Sequence, residues 1–202
     1  MRYLNGILVG ILVIVGVCIG FVSLYFASLT GVMSRLGFVG GDITREVRVN
    51  ELVRGVRDIP GRTTCDAWQA ILPVPTYLFD SRQARIPLGF TLGYERVVCG
   101  VGYTISGNTE RGVYTMLKGL YYVRSSYLDL GNYAARDSSL CLTRQADLVD
   151  PWVGAYLAAS HGKVHDVIAN VYQEIQEERA HVAELCDRVM QKNSVDEAPL
   201  TF

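Results

Sequence analysis

The sequence predicts an all-α protein, with one N-terminal transmembrane helix followed by a helical-hairpin or bundle ectodomain. Three observations predict it. Residues Asn5–Ser34 form an uninterrupted run without a charged side chain. Downstream, apolar residues recur every three or four positions over 113–133 and again over 150–192, the period of an amphipathic helix. The breaks between periodic stretches fall at helix-ending residues: Pro60-Gly61, Pro87 and the Arg136-Asp137-Ser138-Ser139 cluster.

The first element reads NGILVGILVIVGVCIGFVSLYFASLTGVMS and lies between Arg2 and Arg35. About 20 apolar residues, rising 1.5 Å each, cross a hydrocarbon core of roughly 30 Å. This run is longer. Signal-peptide cores hold about 7–15 apolar residues, so a retained signal anchor is expected rather than a cleaved leader, although Phe26-Ala27-Ser28 offers a small-residue site. Gly6, Gly10, Gly16 and Gly20 fall within an arc about 120° wide at 100° per residue, and Ala27 lies beside it. A face of small residues lets a second helix approach closely, while glycine is also common in membrane helices generally. The expectation is a packed face against another transmembrane helix or subunit.

Composition narrows the rest. The chain has 202 residues and a net charge of −1, which allows one span and one domain of ordinary size. That charge gives no bulk attraction to nucleic acid. Cys18 lies inside the anchor; Cys65, Cys99, Cys141 and Cys186 lie outside it. Four such cysteines fit two disulfides in an oxidising compartment, with four buried thiols as the alternative. Three pairings are open. A strict positive-inside count over Arg35, Arg45 and Arg48 places the C-terminal side in the cytoplasm. Long domains translocate largely regardless of charge, and the cysteines favour an extracytoplasmic C-terminal domain.

The predicted organisation is a stub at 1–4, the anchor at 5–34, a glycine-rich joint and amphipathic helix at 35–63, a helical ectodomain at 64–192 and a disordered tail at 193–202. The helix of the joint is expected across DITREVRVNELVRGVRDIP. The stretch 76–86 reads as a helix ended by Pro87. Residues 90–106 carry strand-favouring valines and tyrosines together with Gly93, Gly100 and Gly102, which weaken helix. Helix is nevertheless expected there, because plainly helical segments follow. Asn108 or Thr109 caps the long helix that comes next. Asp150 as N-cap with Pro151 at the first position starts the final helical pattern, bent at Gly162.

Chemical motifs are sparse. His161 and His165, four apart, can ligate a metal from one helix face, and Glu178 with His181 makes half of a di-iron ExxH pair. Without a second ExxH, His161, His165 and His181 read first as solvated helix residues. There is no GxSxG and no phosphate-binding GxxxxGK[ST]. Neither catalytic residues nor a cofactor are expected.

The segment ILPVPTYLFDSRQARI at 71–86, followed by MLKGLYYVRSSY within 110–130, resembles a family of uncharacterised single-anchor helical surface domains of candidate-phylum bacteria. Ile71-Leu72-Pro73, Pro75, Tyr77 and Arg85-Ile86 carry the resemblance, with one residue fewer between the prolines than the family pattern. It covers about half the ectodomain. It implies an anchored helical ectodomain and no catalytic residue. The expected role is therefore a structural or accessory subunit of a membrane or envelope assembly, partnered by membrane and protein. The alternative is a small metal- or ligand-binding extracytoplasmic domain.

Overall fold

A computed structural model describes residues 43–56, 64–66, 82–136, 138–143 and 148–196. All of them belong to a unit that starts at Ile43. The segment 5–34 expected as an anchor, with Gly6, Gly10, Gly16, Gly20, Ala27 and Cys18, lies outside the described residues. Among those described, no helix is long and apolar enough to cross a membrane.

The described chain is all-α. A 3-10 turn at Ile43–Arg45 leads into α1 (Val49–Gly55). A helical turn follows at residues 64–66, then the two long helices α2 (Arg82–Ile105) and α3 (Thr109–Ala134). A second 3-10 segment, Ser138–Thr143, precedes α4 (Asp150–Ala159) and α5 (Gly162–Asp196). The one extended feature among these residues is an isolated antiparallel bridge between Val47 and Ser160.

Helices α2 and α3 form an antiparallel hairpin. The turn at Gly107 needs φ of +89°, a conformation glycine adopts without a Cβ clash. Asn108 caps α3, its side-chain oxygen accepting the Arg111 N–H at 3.3 Å, which satisfies one of the orphan donors of the first turn. Helix α5 runs parallel to α3, since Arg124 pairs with Glu174 at 3.1 Å and Gly131 meets Val182 about two turns further along both helices. Val164, Ile168, Val171, Ile175, Val182 and Cys186 are the buried face of α5. They step by three, four or seven, as one helical stripe must.

Several expectations are corrected. Pro87 does not end a helix. It sits inside α2, where its missing N–H leaves one early carbonyl without its helical donor, and the helix continues for a further 18 residues because glycines and valines there face another helix rather than water. Of the amphipathic helix expected across 42–60, the described part 43–56 is α-helical only in α1. Upstream of it the chain extends instead, so that the Arg48 N–H donates to the Ala159 carbonyl and the His161 N–H to the Glu46 carbonyl, both at 2.8 Å. The final helical pattern is broken rather than bent: Gly162 has φ of +60° and separates α4 from α5. Val149, not Asp150, is the N-cap of α4, because the Asp150 carboxylate is taken by Arg179. Helix α5 extends four residues into the region expected as tail, and 197–202 lie outside the described residues.

Candidate functional site

The hairpin is built on glycine. A Cβ placed on Gly119 would stand 2.7 Å from the Gly93 carbonyl oxygen and 2.8 Å from the Val97 nitrogen. One placed on Gly100 would stand 2.7 Å from the Met116 nitrogen and 2.8 Å from the Gly112 oxygen. These are backbone atoms, which cannot swing aside as the end of a side chain can. The two helices therefore meet backbone to backbone, the geometry in which small residues let helices approach and Cα–H groups face carbonyls. At the lower end of the hairpin, the Thr104 hydroxyl donates to the Gly100 carbonyl at 3.0 Å. Its proton is thus committed, so the Tyr156 hydroxyl donates to Thr104 Oγ1 across 3.0 Å. Burial pushes the Tyr156 phenol above its ordinary range.

Four of the five cysteines resolve into two bridges, Cys65–Cys99 and Cys141–Cys186. The Cα separations of 5.5 and 5.7 Å are in the ordinary range for a disulfide. Cys65 and Cys99 are buried with Tyr103. Next to them Asp66 Oδ1 accepts the Tyr103 hydroxyl at 2.6 Å and pairs with Arg111 Nη2 at 2.7 Å. The Arg111 guanidinium also lies 4.1 Å from the Tyr103 ring centroid, a cation–π distance. The bridge and this cluster join the 64–66 turn to both helices of the hairpin. Cys141–Cys186 joins the segment after α3 to the upper part of α5.

A second polar cluster ties α4 to α5. Arg179 Nη1 and Nη2 donate to Asp150 Oδ2 and Oδ1 at 2.8 and 2.7 Å, a two-pronged pair that is strong for its type. Burial alone would raise the Asp150 carboxyl, but hydrogen bonds from Arg179 and Tyr172 outweigh it and hold the carboxyl below its ordinary value. Tyr172 is pushed up to about 12 by burial and by the Asp150 carboxylate.

The histidines are not brought together into a ligand set. His161 precedes α5 rather than sharing its face with His165; both its backbone and its neighbour Gly162 lie against Glu46. His165 lies 3.6 Å from the Asp166 carboxylate, and His181 is exposed further along α5. Among the described residues no three His, Cys, Asp or Glu side chains are placed to hold a metal. The Glu46 carboxylate instead accepts the Val164 N–H at 2.7 Å, capping α5 from far back in the chain, where the helix dipole favours negative charge.

Two features of this surface were not drawn from the sequence. One is the glycine seam. Gly93 and Gly100 are seven apart, as are Gly112 and Gly119, and Ser126 continues the second series; that repeat was the signal. The other is a pair of cations set among aromatic rings. Arg96 is buried under the Tyr122 ring at 5.1 Å, and Lys118 lies 5.9 Å from the Tyr114 ring. Burial, with repulsion from Arg96 second, lowers Lys118 to about 8. Comparison with protein-family models, curated proteins and solved structures finds no match to this chain.

Proposed function

We propose that the protein is a non-catalytic, single-pass membrane protein whose helical domain lies on the extracytoplasmic side and serves as a structural or accessory subunit of an envelope assembly. The pair of disulfides is the observation that carries this reading. Bonds of this kind persist in oxidising compartments, and the two here hold helices rather than a reactive thiol. The uncharged Asn5–Ser34 run supplies an anchor of sufficient length. Its Gly6, Gly10, Gly16 and Gly20 face, with Ala27, is the surface through which it holds a neighbouring membrane helix. The resemblance to single-anchor surface domains agrees with this role. The polar clusters of the domain are ion pairs and caps within the fold, consistent with a scaffold rather than a reaction centre.

The test has two parts. Membranes bearing the full-length protein are washed with alkaline carbonate and then probed by native electrophoresis. The protein should stay in the pellet and migrate as an assembly that Gly10→Leu with Gly16→Leu dissociates. Release by carbonate removes the anchor; an assembly indifferent to both substitutions removes the packed glycine face.

A further inference from the structure

Helix α4 is apolar on every side. From Pro151 to Ser160 the chain reads PWVGAYLAAS, without a charged residue, and the carboxylate of its first turn, Asp150, is held by Arg179. A helix of that kind is ordinarily covered all round, by protein or by lipid. In α4 one side is covered and another is not. Val153, Tyr156 and Ala159 are buried, whereas Leu148, Pro151, Gly154 and Ala158 are exposed. These four recur at intervals of three, three and four residues, so they share one face. Leu148 is 49% exposed. A Cβ on Gly154 would meet nothing within 4 Å among the described residues. Trp152 and Leu157 flank the face, each partly exposed.

The path of the chain points to what covers it. Only residues 35–42 separate the uncharged Asn5–Ser34 segment from Ile43, and nine links span at most about 32 Å when fully extended. Four residues beyond Ile43, Val47 is bridged to Ser160, and the Arg48 N–H donates to the Ala159 carbonyl at 2.8 Å. The strap therefore fastens the C-terminal end of α4 close in the chain to that segment. Helix α1 follows, and its Gly55 lies against Ala155 of α4. Charge has the matching sign. Residues 43–56 carry Arg45, Arg48 and Arg54 against Glu46 and Glu51. Glu46 caps α5, and Glu51 pairs with Arg48 at 3.2 Å. Arg45 and Arg54 are exposed and form no ion pair among the described residues. Basic residues beside an apolar face suit an anionic lipid surface, and a tryptophan favours the headgroup level.

We propose that the outer face of α4, from Leu148 to Ala158, lies in the headgroup region of the bilayer that holds the Asn5–Ser34 anchor. This contact rests on the anchored reading and adds to it a second, monotopic hold on the same membrane. A second copy of the chain is the competing occupant of the face.

The test is nitroxide depth measurement on full-length protein carrying Cys18→Ser, reconstituted in vesicles of phosphatidylcholine and phosphatidylglycerol. Labels are placed one at a time through Gly154→Cys, Ala158→Cys, Ser125→Cys and Val13→Cys. The labels at 154 and 158 should sit about 5–10 Å below the level of the phosphates. The Ser125 position, exposed on α3, should read as water and the Val13 position as hydrocarbon. Positions 154 and 158 are exposed, so an unchanged melting temperature is expected and separates lost contact from lost fold. Water-like labels at 154 and 158 beside a buried label at 13 overturn the proposal and leave the anchor standing. A water-exposed label at 13 ends the anchored reading and this contact with it. Spin–spin broadening at 154 or 158 that disappears on dilution with unlabelled protein assigns the face to a second copy and also overturns the proposal.

Discussion

Helix α3 is held on two sides by two different devices. Against α2 it presents Gly112 and Gly119, and the contact is made by backbone atoms. Against α5 it presents the fully buried Tyr127, beside Arg179, together with the Arg124–Glu174 pair, and the contact is made by side chains. The Phe90 ring, on α2, reaches Tyr127 edge-on at 4.8 Å, so the aromatic layer links both seams at the top. The difference shows where the fold is rigid. Side chains can repack within their rotamers, whereas a backbone seam has no room to give. The first seam therefore fixes the hairpin, and the second adapts to it.

The largest expected effect falls on the bridges. Each closes a long stretch of chain, 34 and 45 residues, and chain entropy assigns about 4 kcal/mol to loops of that size. Replacing both cysteines of either bridge by serine should lower the stability read by denaturant midpoint by about that amount. Because the loop terms are nearly equal, any difference between the two variants reports native contacts. A markedly larger loss for Cys65–Cys99 would show the Asp66–Tyr103–Arg111 cluster depends on it.

Glycine substitution sharpens the comparison directly. Gly119→Ala forces a methyl group onto the backbone of Gly93 and Val97 and should cost about 3 kcal/mol. Gly131→Ala is on the same helix but faces α5, where the nearest atom is Val182 Cγ2 at 3.5 Å, an ordinary contact. There the helix propensity of alanine wins, and the variant should be more stable by roughly 0.5–1 kcal/mol. Equal effects at the two glycines would contradict the division into backbone and side-chain seams.

The smaller expectation concerns the α4–α5 clasp. Asp150 has its folded-state carboxyl held below the ordinary range, so its contribution is present above the unfolded pKa of about 3.9 and fades as pH falls through the folded value. Asp150→Asn should cost about 2 kcal/mol at neutral pH, since each partner retains some exposure, and the gap to the unaltered protein should close toward pH 2. A gap independent of pH would mean that packing, not charge, is lost.

Much of the helical pattern was legible in the sequence and some of its joints were not. The long helix around 113–133 and a cap at Asn108 or Thr109 follow from apolar periodicity and N-cap chemistry, both local properties; the structure selects Asn108. The two disulfides follow from counting cysteines, but their pairing depends on which helices become neighbours. Pro87 reads as a stop and Gly93 and Gly100 as weakeners because propensity ignores what lies across the interface. In the folded hairpin the same glycines are required. The strap at Glu46–Arg48 was missed for a related reason. Its partners, Ala159, His161 and Val164, lie more than a hundred residues away, and no local periodicity signals a cap supplied from that distance.

The claim on which the functional reading rests is that this domain lives oxidised, with its cysteines paired as Cys65–Cys99 and Cys141–Cys186. The direct measurement is thiol counting and peptide mapping on full-length protein taken from cells under immediate acid quench and denatured without reductant. The expected result is a single free thiol, Cys18, with cross-linked peptides containing Cys65–Cys99 and Cys141–Cys186. Five free thiols, or peptides joining Cys65 to Cys141 or Cys186, would contradict it.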